Sequence, residues 1–252
     1  MYSDAVKLQD ATWQDVEQLS RDVVVLIPTG SLEQHGPALP LFTDSILVTA
    51  VAEKVEQALA NKILLTPTLW LGASGHHLAF DGTLSASFSA YYGAIASVIE
   101  SLIPRGFHRF FLLNGHGGNS EPNGVVLREL KARYSNLTFA HSSYYEYAKT
   151  TVAEVLEGPL KVLRHACEAE TSLMMYVRPD LVRTSKLRDD GLVAEPPISS
   201  IIHHFDALTE EGSFGFATLA AEEKGQKIFA AAVDGAKKDI EAIANGYFLR
   251  GL

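Results

Sequence analysis

The chain alternates short, fully apolar segments with segments whose apolar residues recur at helical spacing, and this alternation limits the folds open to it. The apolar segments have strand length: "VVVLIP" (23–28), "KILLTP" (62–67), "HRFFLL" (108–113) and "LTFA" (137–140). A strand without polar alternation is buried on both faces, as in the middle of a parallel sheet. The segments therefore predict the central strands of such a sheet.

Helical periodicity and capping residues mark the segments between the strands. They predict helices over 12–20, 44–59, 88–102, 120–133, 143–156, 165–180 and 218–245, and residues 181–215 are predicted to be mostly loop. Strands that alternate with helices build βαβ units, with helices on both faces of the sheet. We therefore predict an α/β fold with a mainly parallel sheet, and 252 residues suit one large domain or two small ones.

Composition excludes several classes of protein. The net charge of -9 argues against nucleic-acid binding, which needs a basic surface. A single cysteine, Cys167, excludes an intramolecular disulfide, and no apolar run is long enough to span a bilayer. The N-terminus has no signal-peptide pattern. We expect a cytoplasmic protein without nucleic-acid or membrane partners.

Residues able to bind metal follow two of the predicted strands. Glu33, His35 and Asp44 come after the strand at 23–28, and His116 follows the strand at 108–113. In open α/β folds, ligands bind at the carboxyl ends of the strands. Imidazole and carboxylate ligands without thiolates suit Zn, Mn or Fe, and a surplus of carboxylates suits a site for two metals. Further ligand-type residues, His165, Glu168 and Glu170, lie in the segment predicted as a later helix.

Each of these residues has another interpretation when it is taken alone. Asp44 stands where a helix N-cap is expected, Glu33 suits a solvated loop, and His116 suits a hydrogen bond within its turn. The glycines around His116 suit backbone with positive φ. Joint placement at the strand ends is what favours a metal site over these alternatives.

Two other kinds of site fit the sequence less well. "NGHGGNS" (114–120) resembles a phosphate-binding turn before a helix, but it lacks the lysine of a P-loop. Cys167 lies near His165, as a nucleophile would, yet neighbouring residues of a helix point in different directions, so a buried thiol is expected.

Five motifs resemble those of the creatininase (creatinine amidohydrolase) family. They are "PTGSLEQHGPALPLFTD" (28–44), "HHLAFDGTLSAS" (76–87), "LLNGHGGN" (112–119), "HACEAETSLMM" (165–175) and "GFATLAAEEKG" (215–225). The resemblance covers nearly the whole chain. It implies one domain over residues 1–252 with a three-layer α/β/α sandwich. It also implies hydrolysis of C–N amide bonds and assembly into a homohexamer.

The resemblance further implies two divalent ions per subunit, Zn or Mn, with Fe in some members. Creatininase itself has a metal-binding glutamate where this chain has Gly118, and other members supply one from the motif "HACEAET". Glu168 occupies that position and is expected to complete the site, with Asp44 bridging the ions. The metal ligands implied are Glu33, His35, Asp44, His116 and Glu168.

Catalytic and substrate-binding residues also follow from the resemblance. His165 matches a histidine proposed for proton transfer, and Glu170 matches another retained acidic position. Both are expected to be catalytic. The residues expected to contact the substrate are Gly117, Gly118, His77 and Tyr144.

The sequence thus predicts a binuclear metal amidohydrolase acting on a small molecule, namely a cyclic amide, a formamide or the end of a short peptide. Tyr144 and Tyr145 lie where creatininase has tryptophans over its substrate, which argues against creatinine. The alternative is a metal-binding or assembly protein that keeps the fold without turnover.

Overall fold

The predicted strands form one sheet in the structure, a computed structural model that describes residues 6–191 and 202–246. Its strands are β1 (Val6–Lys7), β2 (Val24–Thr29), β3 (Ile63–Leu65), β4 (Arg109–Asn114) and β5 (Thr138–Ser143). A separate two-stranded antiparallel ribbon contains β6 (Asp189–Asp190) and β7 (Gly215–Phe216).

Helices follow most of the strands. They are α1 (Trp13–Gln18), α2 (Thr43–Ala58), α3 (Phe88–Leu102), α4 (Ser120–Arg133), α5 (Tyr144–Tyr147), α6 (Lys149–Val155), α7 (Glu168–Val177) and α8 (Glu222–Ala244). No helix in the described ranges is both long and apolar enough to cross a membrane.

All neighbouring strands of the main sheet are parallel, in the order β1-β3-β2-β4-β5. Every residue of β2 and β4 is buried, as their apolar sequences predict. The two strands end together, because Thr29 pairs with Asn114. The chain segments that follow them therefore leave the sheet side by side.

Apolar side chains cover both faces of the sheet, which gives the predicted three-layer α/β/α arrangement. Val24 and Leu26 of β2 join a core with α2, α7 and α8, whereas Val25 and Ile27 join a core with α3 and α4. This alternation follows from the two-residue period of a strand. Fully burying one such side chain contributes roughly 1.5–3 kcal/mol.

Several predicted boundaries differ from the observed ones. The predicted helix 143–156 is two helices, α5 and α6. The predicted helix 165–180 begins later, at Glu168, because Ala166 has a φ of 48°, which is incompatible with an α-helix. His165 consequently lies in the turn before α7. Residues 192–201 of the predicted loop lie outside the described part of the chain.

Two helical glycines give a matched test of packing. A Cβ at Gly225 in α8 would lie 1.9 Å from the Ser172 carbonyl oxygen of α7, whereas a Cβ at Gly93 in α3 would meet nothing within 4 Å. Gly225→Ala should destabilise the fold by about 1–3 kcal/mol through overpacking. Gly93→Ala should stabilise it by about 0.5–1 kcal/mol. Urea denaturation measures both, and a Gly225→Ala variant as stable as the parent would contradict the close contact of α7 with α8.

Candidate functional site

The candidate site lies where the carboxyl ends of β2 and β4 meet. The loop from β2 to α2 carries Glu33 and His35, the first turn of α2 carries Asp44, and the turn after β4 carries His116. All four side chains are buried. The structure therefore brings together the four ligand-type residues that the sequence placed at these strand ends.

The loop after β2 is held in a shape that turns two alternate residues to one side. Its backbone pairs at Leu32 with Leu84, and the Glu33 amide donates to the Leu41 carbonyl. Gly36 then turns the chain with a φ of 62°, a conformation that favours glycine. The side chains of Glu33 and His35 consequently face inward.

Asp44 joins the two strand ends. Its Oδ1 lies 3.2 Å from His35 Nε2, and its Oδ2 lies 3.0 Å from His116 Nδ1. The Ser31 hydroxyl donates to Oδ2 at 3.0 Å. Each carboxylate oxygen thus faces a different imidazole.

The prediction that Asp44 is a helix N-cap is wrong. Helix α2 begins at Thr43, so Phe42 occupies the cap position and makes no side-chain cap bond. The Thr43 hydroxyl instead donates to the Pro40 carbonyl at 2.7 Å. Asp44 lies inside the first turn, where its carboxylate is free to point at the histidines.

Backbone carbonyls orient the two histidines that face Asp44. His35 Nδ1 lies 3.1 Å from the Glu33 carbonyl oxygen, and His116 Nε2 lies 3.2 Å from the Ala73 carbonyl oxygen. A carbonyl only accepts, so these nitrogens carry the ring protons. The opposite nitrogens, His35 Nε2 and His116 Nδ1, face the carboxylates. Metal-binding histidines are commonly oriented in this way.

Glu33 lies among three imidazoles. Its Oε1 is 3.2 Å from His116 Nδ1, 3.4 Å from His77 Nε2 and 3.6 Å from His165 Nδ1. Its Oε2 is buried and has no hydrogen-bond partner among the described residues. A buried polar atom without a partner is costly, and a bound cation would satisfy it.

The fifth ligand-type residue at the site is Glu170, and the prediction that Glu168 completes the site is corrected by its contacts. Glu170 Oε2 lies 3.5 Å from His35 Nε2 and accepts from the Ala166 amide at 2.6 Å. The Glu168 oxygens accept from Lys224 Nζ at 2.6 Å and from the amides of residues 157 and 158 at 2.8 and 2.9 Å.

Helix geometry explains why one glutamate replaces the other. Successive residues of an α-helix are rotated by about 100°, so Glu168 and Glu170 point to nearly opposite sides of α7. Only one of them can face the ligand cluster. Glu168 instead ties the start of α7 to Lys224 in the first turn of α8.

Burial and neighbouring charges shift the pKa values of the cluster in opposite directions. Burial raises the pKa of Glu33, but His116 outweighs burial and lowers it to about 2. In the same way, His35 and His116 hold the pKa of Asp44 well below its usual range. Burial lowers the pKa of His35, but Asp44 and Glu170 raise it well above its usual range. The carboxylates of Glu33 and Asp44 are therefore ionised and ready to bind a cation.

Two further histidines are neutral at neutral pH. Burial lowers the pKa of His77 to about 3, and burial together with His35 and His77 lowers the pKa of His165 well below its usual range. Both rings contact Phe205, with ring centroids 4.2 and 4.7 Å away. Phe205 thus covers this pair of imidazoles.

A pocket of about 260 Å³ opens beside the cluster. Carboxylates and imidazoles of the site form one part of its lining, and apolar side chains such as Leu163 and Phe205 form another. It is lined by Glu33, Asp44, His76, His77, Gly115, His116, Gly117, Gly118, Tyr145, Leu163, Arg164, His165, Glu170 and Phe205. His77, Gly117 and Gly118 therefore lie where substrate-binding residues were predicted.

Tyr144, which was predicted to contact the substrate, is not among the residues that line this pocket. Tyr144 is fully buried in the core with α2 and α8, and its neighbour Tyr145 lines the pocket instead. Burial raises the pKa of Tyr144 well above its usual range. The two tyrosines are adjacent, and sequence alone did not indicate which of them faces inward.

The glycine turn after β4 has no room for a side chain at Gly118. A Cβ there would lie 2.3 Å from the Ala73 carbonyl oxygen, 2.5 Å from His116 Nε2 and 2.9 Å from His76 Cε1. A Cβ at Gly117 would meet nothing within 4 Å. A glutamate at position 118 is thus incompatible with this arrangement of the two histidines.

The site favours a metal over the other two chemistries considered. A phosphate at the glycine turn would meet the carboxylates of Glu33 and Asp44, which lie within 3.2 Å of His116. Burial raises the pKa of Cys167 to about 11, so its thiol stays protonated and a poor nucleophile.

The described residues include three groups whose ligand atoms lie within 4.8 Å of one another. They are Glu33 with His35 and Asp44, His35 with His165 and Glu170, and Glu33 with His77 and His165. Two ligands bound to one tetrahedral Zn ion at about 2.1 Å are roughly 3.4 Å apart. The measured separations of 3.0–3.6 Å fit such an ion.

Gln34 and Arg164 are among the site residues that sequence reasoning missed. Gln34 lies between two predicted ligands, and the two-residue alternation of extended chain places it on the other side. Its own contacts, with His77 and His165, depend on chain segments that are distant in sequence. No local signal marks it.

Comparison with known proteins adds independent findings. The family model described as "Creatininase: Creatinine amidohydrolase" matches residues 9–240. The chain is similar to creatinine amidohydrolase of Pseudomonas putida, with 31% identity over 92% of this chain and 95% of that protein. It is also similar to mycofactocin precursor peptide peptidase of Mycobacterium tuberculosis, with 32% identity over 90% of this chain and 88% of that protein.

A solved structure described as a mutant creatininase of Zn-Zn type has a TM-score of 0.83 and 30% identity. It covers 95% of this chain and 98% of that chain.

The two glutamates of α7 give a direct test of the metal ligands. Glu170→Gln should weaken metal affinity by at least about tenfold, the scale on which even the outer contacts of a metal site act. Glu168→Gln should keep the metal but lose its ion pair with Lys224, at a cost of about 1–3 kcal/mol in the free energy of unfolding, since Lys224 keeps Glu157 as a partner. Metal content after gel filtration and thermal unfolding measure the two effects. Metal loss in Glu168→Gln with full retention in Glu170→Gln would reverse the assignment.

Proposed function

The chain belongs to the creatininase family, and on that premise we propose that it hydrolyses a C–N amide bond with two divalent metal ions. The observation that carries the proposal is the position of Asp44, whose two oxygens face His35 and His116 at 3.2 and 3.0 Å. The hydrolase names of the relatives support the reaction class.

Four of the proposed ligands follow the two central strands, and the fifth lies on α7. They are Glu33, His35, Asp44, His116 and Glu170. Asp44 is the proposed bridge. This set offers nitrogen and oxygen without thiolate, which suits Zn or Mn, with Fe also possible. The unpaired Oε2 of Glu33 supports a cation at this place.

When bound, such ions supply Lewis acidity toward a carbonyl oxygen and acidify water. The protein's own part in the reaction is to bind the substrate and to move a proton. His165 borders the pocket and its Nδ1 is directed at the ligand cluster, so it is placed to take a proton from the attacking water and pass it to the departing nitrogen. Phe205 shields that ring from water.

The pocket limits the substrate. A volume of about 260 Å³ suits a small amide or the end of a short peptide. The relatives include a creatinine amidohydrolase and a peptide peptidase, which supports both kinds of substrate. Gly117, with open space at its Cβ position, is the proposed place where substrate approaches the backbone.

A protein without turnover is less well supported. The proposed ligands and His165 are all present, and all of them except His35 line the pocket. A chain that had lost its reaction would be free to lose one of these groups.

The reaction class is tested with a panel of amides. We expect the Zn- or Mn-loaded protein to add water to at least one of creatinine, a linear formamide and short peptides. Mass spectrometry of the products detects each reaction. Chelation should abolish turnover and added metal should restore it. Full turnover after complete metal removal, or no hydrolysis across the panel by fully loaded protein, would contradict the proposal.

Proton transfer is tested at His165. His165→Gln should lower kcat by roughly 10²–10⁴-fold, the usual contribution of general acid catalysis, with bound metal unchanged. The matched control is His108→Gln, because His108 lies at the opposite end of the sheet, just before β4, and is partly exposed. Equal kcat values for the two variants would remove His165 from the mechanism.

A further inference from the structure

Gln34 lies between the two predicted ligands of the β2 loop and has an amide of fixed orientation. Its Oε1 accepts from the Gly36 amide at 2.9 Å, and its Nε2 donates to the Gly212 carbonyl oxygen at 3.0 Å. An amide N–H only donates and a carbonyl only accepts. These two backbone partners therefore determine which end of the side chain is oxygen and which is nitrogen.

The main-chain carbonyl of Gln34 determines which nitrogen of the His165 ring carries the proton. His165 Nε2 lies 2.7 Å from that oxygen, so Nε2 must carry a proton and donate it. The same nitrogen lies 3.1 Å from Gln34 Nε2 but cannot accept from it. In the neutral ring Nδ1 is then unprotonated, and it faces Glu33 Oε1 at 3.6 Å.

The side-chain amide of Gln34 determines which nitrogen of the His77 ring carries the proton. One amide hydrogen is used by Gly212, and the other points to His77 Nδ1 at 2.8 Å, which must accept it. In the neutral ring the proton of His77 then lies on Nε2. That nitrogen faces Glu33 Oε1 at 3.4 Å and can donate to it.

We propose that Gln34 is a positioning residue that fixes the tautomers of both His77 and His165 and, through His77, the orientation of the Glu33 carboxylate. The inference rests on the proposed function, because Glu33 is a proposed ligand and His165 the proposed proton carrier. Gln34 needs no contact with the substrate to act in this way. A neutral His165 with its proton on Nε2 offers Nδ1 to receive a proton on the pocket side.

The partner loop is shaped around the same amide. Gly212 has a φ of 91°, and a Cβ there would lie 2.0 Å from Gln34 Oε1. The loop that ends at Gly212 also carries Phe205, which packs on the rings of His77 and His165. Gln34 thus contacts the loop that covers His77 and His165, the two histidines whose tautomers it determines.

The tautomer of His77 is the direct test, and it needs neither metal nor substrate. Solid-state ¹⁵N NMR of the histidine-labelled, metal-free protein distinguishes a ring proton on Nε2 from one on Nδ1, and the His77 signals are those that disappear in His77→Phe. We expect the Nε2–H form in the parent protein. In Gln34→Glu the new carboxylate only accepts, so His77 Nδ1 should gain a proton, as the Nδ1–H tautomer or as an imidazolium that donates from both nitrogens. An Nδ1–H form in the parent, or no change in Gln34→Glu, would overturn the inference.

A second measurement tests the consequence for the site in the zinc-loaded protein. Gln34→Met and His77→Phe should each speed zinc loss to a chelator by about 10–100-fold, the effect typical of outer contacts of a metal site. They should lower kcat by a similar factor and change KM by less than about threefold. Because Gln34 acts through His77, the double variant should be no worse than either single one.

Thr83→Val is the matched control, since the Thr83 hydroxyl accepts from the main-chain amide of Gln34 at 3.1 Å and not from its side chain. It should release zinc within about twofold of the parent rate. The positioning role would be contradicted if the two effects on the rate of zinc loss multiplied in the double variant. It would also be contradicted if Gln34→Met lost zinc at the rate of the parent protein. A protein that binds no zinc would contradict the proposed function instead, and the tautomer measurement would still decide the role of Gln34.

Discussion

The structure depends on the contact of one carboxylate, Asp44, with imidazoles from two strand ends. Burying carboxylates at the edge of a parallel sheet costs several kcal/mol for each ion unless opposite charges and hydrogen bonds compensate. His35 and His116 supply that compensation from the β2 loop and the β4 turn. Since α2 carries Asp44, the same contact fixes the start of this helix against both strands. The same contacts therefore form the site and connect α2 to the two central strands.

The sequence predicted those strands and site residues that depend on local patterns. Apolar runs located β2 and β4, and the rule that ligands bind at strand ends located Glu33, His35 and His116. It failed where the outcome depends on how a helix is rotated about its axis. Helix α7 directs Glu170 toward the cluster and Glu168 toward Lys224.

Adjacent or alternating residues were the other source of error. Tyr144 and Tyr145 have the same chemistry, and only the packing of α5 against α8 decides that Tyr144 is buried. Gln34 was overlooked because its partners come from distant segments of the chain. The hexamer, the cytoplasmic location and the single domain over 1–252 stay predictions.

The glycine turn gives the pocket a different wall from the one that a glutamate at position 118 would give. In this chain Gly118 leaves space that the His76 ring occupies, with the rings of His76 and His116 stacked at 5.7 Å. Glu170, on a different element, supplies the carboxylate that position 118 lacks. Moving a carboxylate from the turn to α7 keeps the charge of the cluster but changes the wall of the pocket from an acid to an imidazole. Under the proposed function, the kept charge would preserve metal binding, and the changed wall would alter which amides fit the pocket.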